Sequence, residues 1–236
     1  MNLREIAKRA ISLRGLLLRA AGFALAWFFL PFWLFFLIAL YLYFVPLFRM
    51  RFLDALFFAI LVLAYIHPVN FLFAVLLFGL FAYILLIKNL LLIDRKSAYE
   101  LLVFALTFFL LRDFYGQFNA GISFVAVGWG LLLALLIGVL LNSFMSSQGA
   151  VGDKPGMRRI SSWLCFLVMW QLIILALFLP LDFIYQSIIV FLLGITILDL
   201  VPEYYLGSLT REKIYLTGTT VFAVLVIVLA SARWVL

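Results

Sequence analysis

The chain has 236 residues, 69% hydrophobic and 11% charged, with mean hydropathy +1.29. A soluble domain is about 45–50% apolar and about 25% charged, so this inventory excludes a water-soluble surface. The net charge of +7 sits at the ends of apolar runs, where it reads as an orientation signal and as contact with an anionic inner leaflet, with no nucleic-acid role.

At about 20 apolar residues per crossing, the composition sets a ceiling of about eight transmembrane helices. The long unbroken apolar runs exclude the alternation of a membrane β-barrel. The expected fold is all-α: a polytopic transmembrane helical bundle of about seven crossings, with an N-terminal amphipathic helix and a hairpin or re-entrant segment broken at Pro31.

Residues 1–19 place Leu3, Ile6, Ala7, Ala10 and Ile11 against Arg4, Lys8 and Arg9 at helical spacing. That pattern predicts a helix lying on the cytoplasmic leaflet. No small-residue cleavage site precedes the aromatic run Trp27–Phe36, so the segment reads as a retained anchor. The apolar stretch Leu16–Phe48 follows, interrupted by Pro31. Later apolar segments are Leu53–Ile66, Val69–Ile93, Ala98–Leu111, Ile122–Met145, Leu164–Leu179, Leu181–Val201 and Thr217–Leu236.

Counting basic residues decides the orientation. If Leu16–Phe48 crosses once, the two sides hold 10 and 7 Lys and Arg residues. If the chain turns back at Pro31, the split becomes 15 against 2, with only Arg112 and Arg233 on the sparse side. The positive-inside rule favours the reversal. The expected location is therefore the plasma (inner) membrane, with the N-terminus cytoplasmic and the C-terminus outside.

Four regions follow: a surface helix over 1–19, a first transmembrane half over 20–145, a cytoplasmic loop over 146–163, and a second half over 164–236. A shift of 112 residues lays Leu63, Ala64, Pro68, Phe71 and Leu80 on Leu175, Ala176, Pro180, Phe183 and Leu192, with Asn70 on Asp182. This is either a duplication of Leu53–Leu111 in Leu164–Leu236 or a coincidence of biased composition.

Polar residues inside a bilayer are costly and each needs a reason. On the outer side, His67, Asn70, Arg112, Asp113, Tyr115, Gln117 and Asp182 form the candidate site, with Tyr185, Gln186 and Arg233 at the same level. As a site, Arg112 would clamp an anion, the two aspartates would accept protons or cations, and His67 would shuttle a proton. The competing reading is plain loop solvation. Lys88 lies close enough to the inner end to snorkel. Asp199 is expected to cap or to pair with Lys88 or a basic loop.

Gln171 is the one strongly polar residue near the middle of an apolar helix, and it should face the bundle. Ala126, Gly130, Ala134 and Gly138 recur every fourth residue, continuing to Asn142 and Ser146, and predict close helix packing inside the bundle or against a second copy.

Cys165 is the only cysteine and His67 the only histidine, so no cysteine- or histidine-based metal centre is expected, and no cofactor. Zinc-protease, nucleophile-elbow and phosphate-loop motifs are missing. The expected function is a small-solute carrier or a membrane subunit of a larger assembly, not an enzyme, with a membrane-protein partner or homo-oligomer. The alternative is a membrane-embedded enzyme working on a lipid-linked or amphipathic substrate at the outer leaflet.

Overall fold

The computed structural model describes residues 3–45, 51–89, 95–118, 123–147 and 155–232. Nine α-helices occur among them: α1 (Leu3–Phe29), α2 (Phe32–Phe44), α3 (Arg51–Ile66), α4 (Phe71–Lys88), α5 (Arg95–Gln117), α6 (Phe124–Ser147), α7 (Pro155–Leu177), α8 (Phe183–Leu206) and α9 (Arg211–Ser231). No strand occurs among the described residues. Among the described residues, three helical stretches are long and apolar enough to cross a membrane: Phe71–Lys88, Phe183–Val201 and Arg211–Ser231. Seven crossings were expected. Phe32–Phe44, Leu53–Ile66, Phe124–Leu140 and Trp163–Leu177 are apolar but shorter. At 1.5 Å per residue, Leu53–Ile66 covers about 21 Å of a hydrocarbon core about 30 Å thick.

The chain divides into two compact units, Met1–Leu102 and Val103–Leu236. The division falls inside α5, and α6 and α7 pack against each other within the second unit. Asn119, Gly121, Arg233 and loop residues 148–154 lie outside the described residues, as do the side chains of residues 3–12.

In the first unit, the chain reverses at Pro31. Proline has no N–H to continue α1 and its ring obstructs the preceding turn. Its carbonyl instead accepts from Leu34 and Phe35 at 3.0 and 3.1 Å and starts α2. Phe23 meets Phe35 edge-on at 5.1 Å, and a Cβ on Gly22 would lie 3.9 Å from Leu42, so α1 and α2 fold back on one another. α1 runs unbroken from Leu3 to Phe29, since nothing near Arg19 interrupts helical propensity.

Aromatic rings build the core of this unit. Phe23 stacks on Phe81 of α4 at 4.1 Å, and Tyr43 stacks on Phe57 of α3 at 4.1 Å. Trp27 packs on Phe73 at 5.4 Å while its indole Nε1 donates to the Ala64 carbonyl at 2.8 Å. That bond ties α1 to α3 and satisfies a buried indole.

In the second unit, Ala126, Gly130, Ala134 and Gly138 are buried. A Cβ on Gly130 would lie 3.3 Å from Ile174 and 3.4 Å from Ile173, and one on Gly138 would lie 3.4 Å from Cβ and 3.8 Å from Cα of Phe166. The small face of α6 is therefore pressed on α7, near its backbone. Gly138→Leu should cost about 1–3 kcal/mol by overpacking this contact, whereas Gly128→Leu, where nothing lies within 4 Å of the new Cβ, should leave stability near that of the parent. Denaturation in detergent micelles, followed by helical circular dichroism, separates the two.

The α8–α9 pair is pinned at both ends. Tyr185 donates to the Ser231 carbonyl at 2.9 Å, and Lys213 pairs with Asp199 at 3.3 Å and with Glu203. Asp199 thus meets Lys213, in the first turn of α9, and not Lys88. Gly207 sits at φ +68 and closes α8 in the left-handed conformation that glycine adopts without strain.

Candidate functional site

The expected outer residues fall in both units, and each group has its own local structure. In the first unit, Asn70 caps α4: its side-chain oxygen accepts from the Phe73 N–H at 2.7 Å. His67 stacks on the Phe73 ring at 3.7 Å, and its Nε2 lies 3.5 Å from the Asn70 side-chain nitrogen. The α3–α4 turn therefore closes on itself. Phe73 joins it to Trp27 on its other side.

In the second unit, Asp182 caps α8, accepting from the Phe183 N–H at 2.8 Å. Gln186 reaches back to the Leu179 carbonyl at 3.0 Å, across the Pro180 corner. Tyr115 is fully buried and donates to the Ile173 carbonyl at 2.9 Å, joining α5 to α7. A Cβ on Gly116 would lie 3.7 Å from Phe183, so the end of α5 meets the start of α8. Arg112 is half-buried, Asp113 is buried and Gln117 is exposed. The second unit thus gathers Arg112, Asp113, Tyr115, Gln117 and Asp182 around one end of its helices. Of these, Asp182 and Tyr115 are engaged in holding helices in place. The caps Asn70 and Asp182 are 112 residues apart, as are the starts of α4 and α8 at Phe71 and Phe183.

Two expectations for individual residues are corrected. Gln171 does not face the interior of its unit; it is exposed. The buried face of α7 is taken by Cys165, Phe166, Met169, Ile173 and Ala176, all apolar, which leaves Gln171 on the far side. Lys88 does not snorkel to an aqueous edge; it is 2% exposed. Its Nζ donates to the Tyr43 carbonyl and sits 4.1 Å from the centre of the Tyr43 ring.

This second correction reveals the most concentrated buried polar group of the first unit. Tyr43 presents three features at once. Its carbonyl accepts from Lys88, its ring face carries the same ammonium, and its hydroxyl donates to Asp54 Oδ1 at 2.9 Å. A ring quadrupole attracts a desolvated cation, and a carbonyl supplies a direct acceptor. Lys88, Tyr43 and Asp54 come from α4, α2 and α3, so the arrangement clamps three helices. Neither Tyr43 nor Asp54 stood out in the sequence. The available signal was Lys88 itself, followed by Leu90–Ile93, which continues the apolar run beyond the charge.

Within the described residues, no group of three or more His, Cys, Asp or Glu side chains is arranged to hold a metal ion. No family model, curated protein or solved structure matches the chain.

Proposed function

We propose that the chain is a multi-pass integral membrane protein that serves as a non-enzymatic membrane subunit of a larger assembly. The carrying observation is α9. Its most apolar 18-residue window has a mean hydropathy of 2.2, and none of its 21 residues is buried. Leu216, Phe222 and Ile227 are 66–69% exposed. Apolar surface of that extent is stable only against lipid or against other helices. The caps and interhelix bonds made by Asn70, Asp182 and Tyr115 also account for part of the outer polar cluster without a substrate.

A small-solute carrier is the second reading, favoured by Lys88. A buried cation at the end of an apolar helix is the kind of residue that marks ion and substrate pathways.

The orientation proposed is N-terminus cytoplasmic and C-terminus outside, in a plasma membrane with an anionic inner leaflet. The reversal at Pro31 supports it, because only with that reversal do basic residues divide 15 to 2. The test has two arms. Extracted from native membranes in mild detergent, the chain should run as a species larger than one 27.0 kDa copy in its micelle; a lone monomer overturns the assembly reading. In a Cys165→Ala background, single cysteines at Asn2 and Ser147 should label from the cytoplasmic side in vesicles of known orientation. Labelling from opposite sides overturns the topology.

A further inference from the structure

We infer that the second unit holds a binding site for a neutral, lipid-soluble molecule that presents one oxygen, a hydroxyl or a carbonyl, to Thr107. The inference goes beyond the assembly reading and does not depend on it.

A small cavity of about 10 Å³ lies where α5, α6, α7 and α8 meet. Thr107 of α5, Ile137 of α6, Met169 of α7 and Gly194 of α8 are buried and form its floor. Phe104, Phe191 and Ile195 are half-buried and form its rim, between α5 and α8. Phe191 meets Phe104 at 6.5 Å and Phe108 at 5.4 Å, edge-on in both cases. Thr107 and Gly194 stand halfway along their helices. The α8 part of the rim lies in Phe183–Val201, a stretch long and apolar enough to cross a membrane. Spaces between the helices of a bundle are a common location for ligand sites.

Thr107 supplies the chemistry. It is 4% exposed, and its Oγ1 has no hydrogen-bond partner among the described residues. A serine or threonine inside a helix can donate to the carbonyl one turn back. Ser187, Thr196 and Thr219 do so, at 2.6, 2.8 and 2.7 Å. Thr107 does not, which leaves its O–H for a partner in the cavity. A buried hydroxyl without a partner is costly, and a ligand that brings an acceptor removes that cost.

The lining decides which partner fits. A water molecule needs two to four polar contacts, and here it meets one hydroxyl among rings, a thioether and aliphatic groups. An ion finds no opposite charge, because no lining residue is charged. The space admits about one water-sized group. It therefore takes the oxygen-bearing tip of a molecule whose apolar remainder lies along the rim. Gly194 keeps that space open: a Cβ there would lie 3.2 Å from both Sδ and Cε of Met169, so any side chain crowds the thioether beside the cavity.

The experiment uses the full chain in native membranes and, as probe, octanol carrying a photoreactive diazirine. After irradiation, adducts should concentrate on Phe104, Ile137, Met169 and Phe191. Excess plain octanol should suppress them and excess octane should not. Thr107→Val keeps the side-chain shape and removes the hydroxyl; it should cut labelling roughly 2- to 12-fold. Without probe, its unfolding midpoint should equal or exceed that of the parent, since the lost hydroxyl had no partner. Gly194→Ala should also reduce labelling. Adducts spread evenly over exposed apolar residues such as Phe222 would show simple partitioning into the membrane and overturn the site. Octane competing as well as octanol, or undiminished labelling of Thr107→Val, overturns the role of the oxygen. A lowered midpoint in Thr107→Val shows that the hydroxyl is already bonded in the free protein and overturns the proposal at its premise.

Discussion

Trp27→Ala should be among the most destabilising single changes in the chain, at about 3–5 kcal/mol for deletion of a buried indole. Trp27 is 4% exposed and touches two other helices at once. Its ring packs on Phe73 of α4 and its Nε1 donates to Ala64 of α3. In a lipid surround, packing between helices depends on close van der Waals contact, and a void of this size forfeits it. Trp27→Phe separates the components: the ring contact stays and the Ala64 carbonyl loses its side-chain donor, for a loss of about 1–3 kcal/mol. Both are read from the unfolding midpoint in micelles. Equal losses for the two variants would show that the hydrogen bond, not the ring, carries the contribution of Trp27.

Lys88→Ala should cost about 2–5 kcal/mol, while Lys88→Met should remain within about 1 kcal/mol of the parent. The argument separates the stem from the charge. The aliphatic stem of Lys88 fills buried space, which alanine leaves empty and methionine refills. The ammonium bonds the Tyr43 carbonyl, but removing a buried charge together with its desolvation cost is often neutral. If Lys88→Met falls as far as Lys88→Ala, the ammonium itself holds α4 to α2. A stable Lys88→Met that abolishes the protein's role in cells would instead assign the charge to function and strengthen the carrier reading.

The helical class and the reversal at Pro31 were legible because each has a one-residue or whole-chain cause. Pro31 removes a backbone donor in the middle of an apolar run and ends α1, although Pro202 is carried inside α8, and a chain this apolar has few soluble alternatives. The position of α6 against α7 was partly legible, since small residues every fourth position mark a face that permits close approach. Direction along a helix face was harder. Gln171 was expected to point inward on the rule that polar groups avoid lipid, but periodicity alone fixes only which residues share a face, not which face the neighbours cover. Cys165, Met169, Ile173 and Ala176 occupy the inner side, and only the fold reveals it. Lys88 failed for a related reason. Sequence distance to a helix end suggests an aqueous exit, whereas the exit is closed by Tyr43, 45 residues away. Among the candidate outer residues, Asn70 and Asp182 drew notice as polar groups in the expected outer turns, and capping explains that placement without invoking a ligand.

The pairing of α1 with α4 has a consequence for biosynthesis. Phe23 stacks on Phe81, and Trp27 packs on Phe73. The partners are separated by 58 and 46 residues, so at about 5–20 residues per second the ribosome takes roughly 3–12 s to deliver Phe81 after Phe23. Through that interval the aromatic face of α1 has α2 beside it but not α4. The side of α1 that carries Phe23 and Trp27 therefore stays open toward α4 for that interval, with only α2 available to cover it.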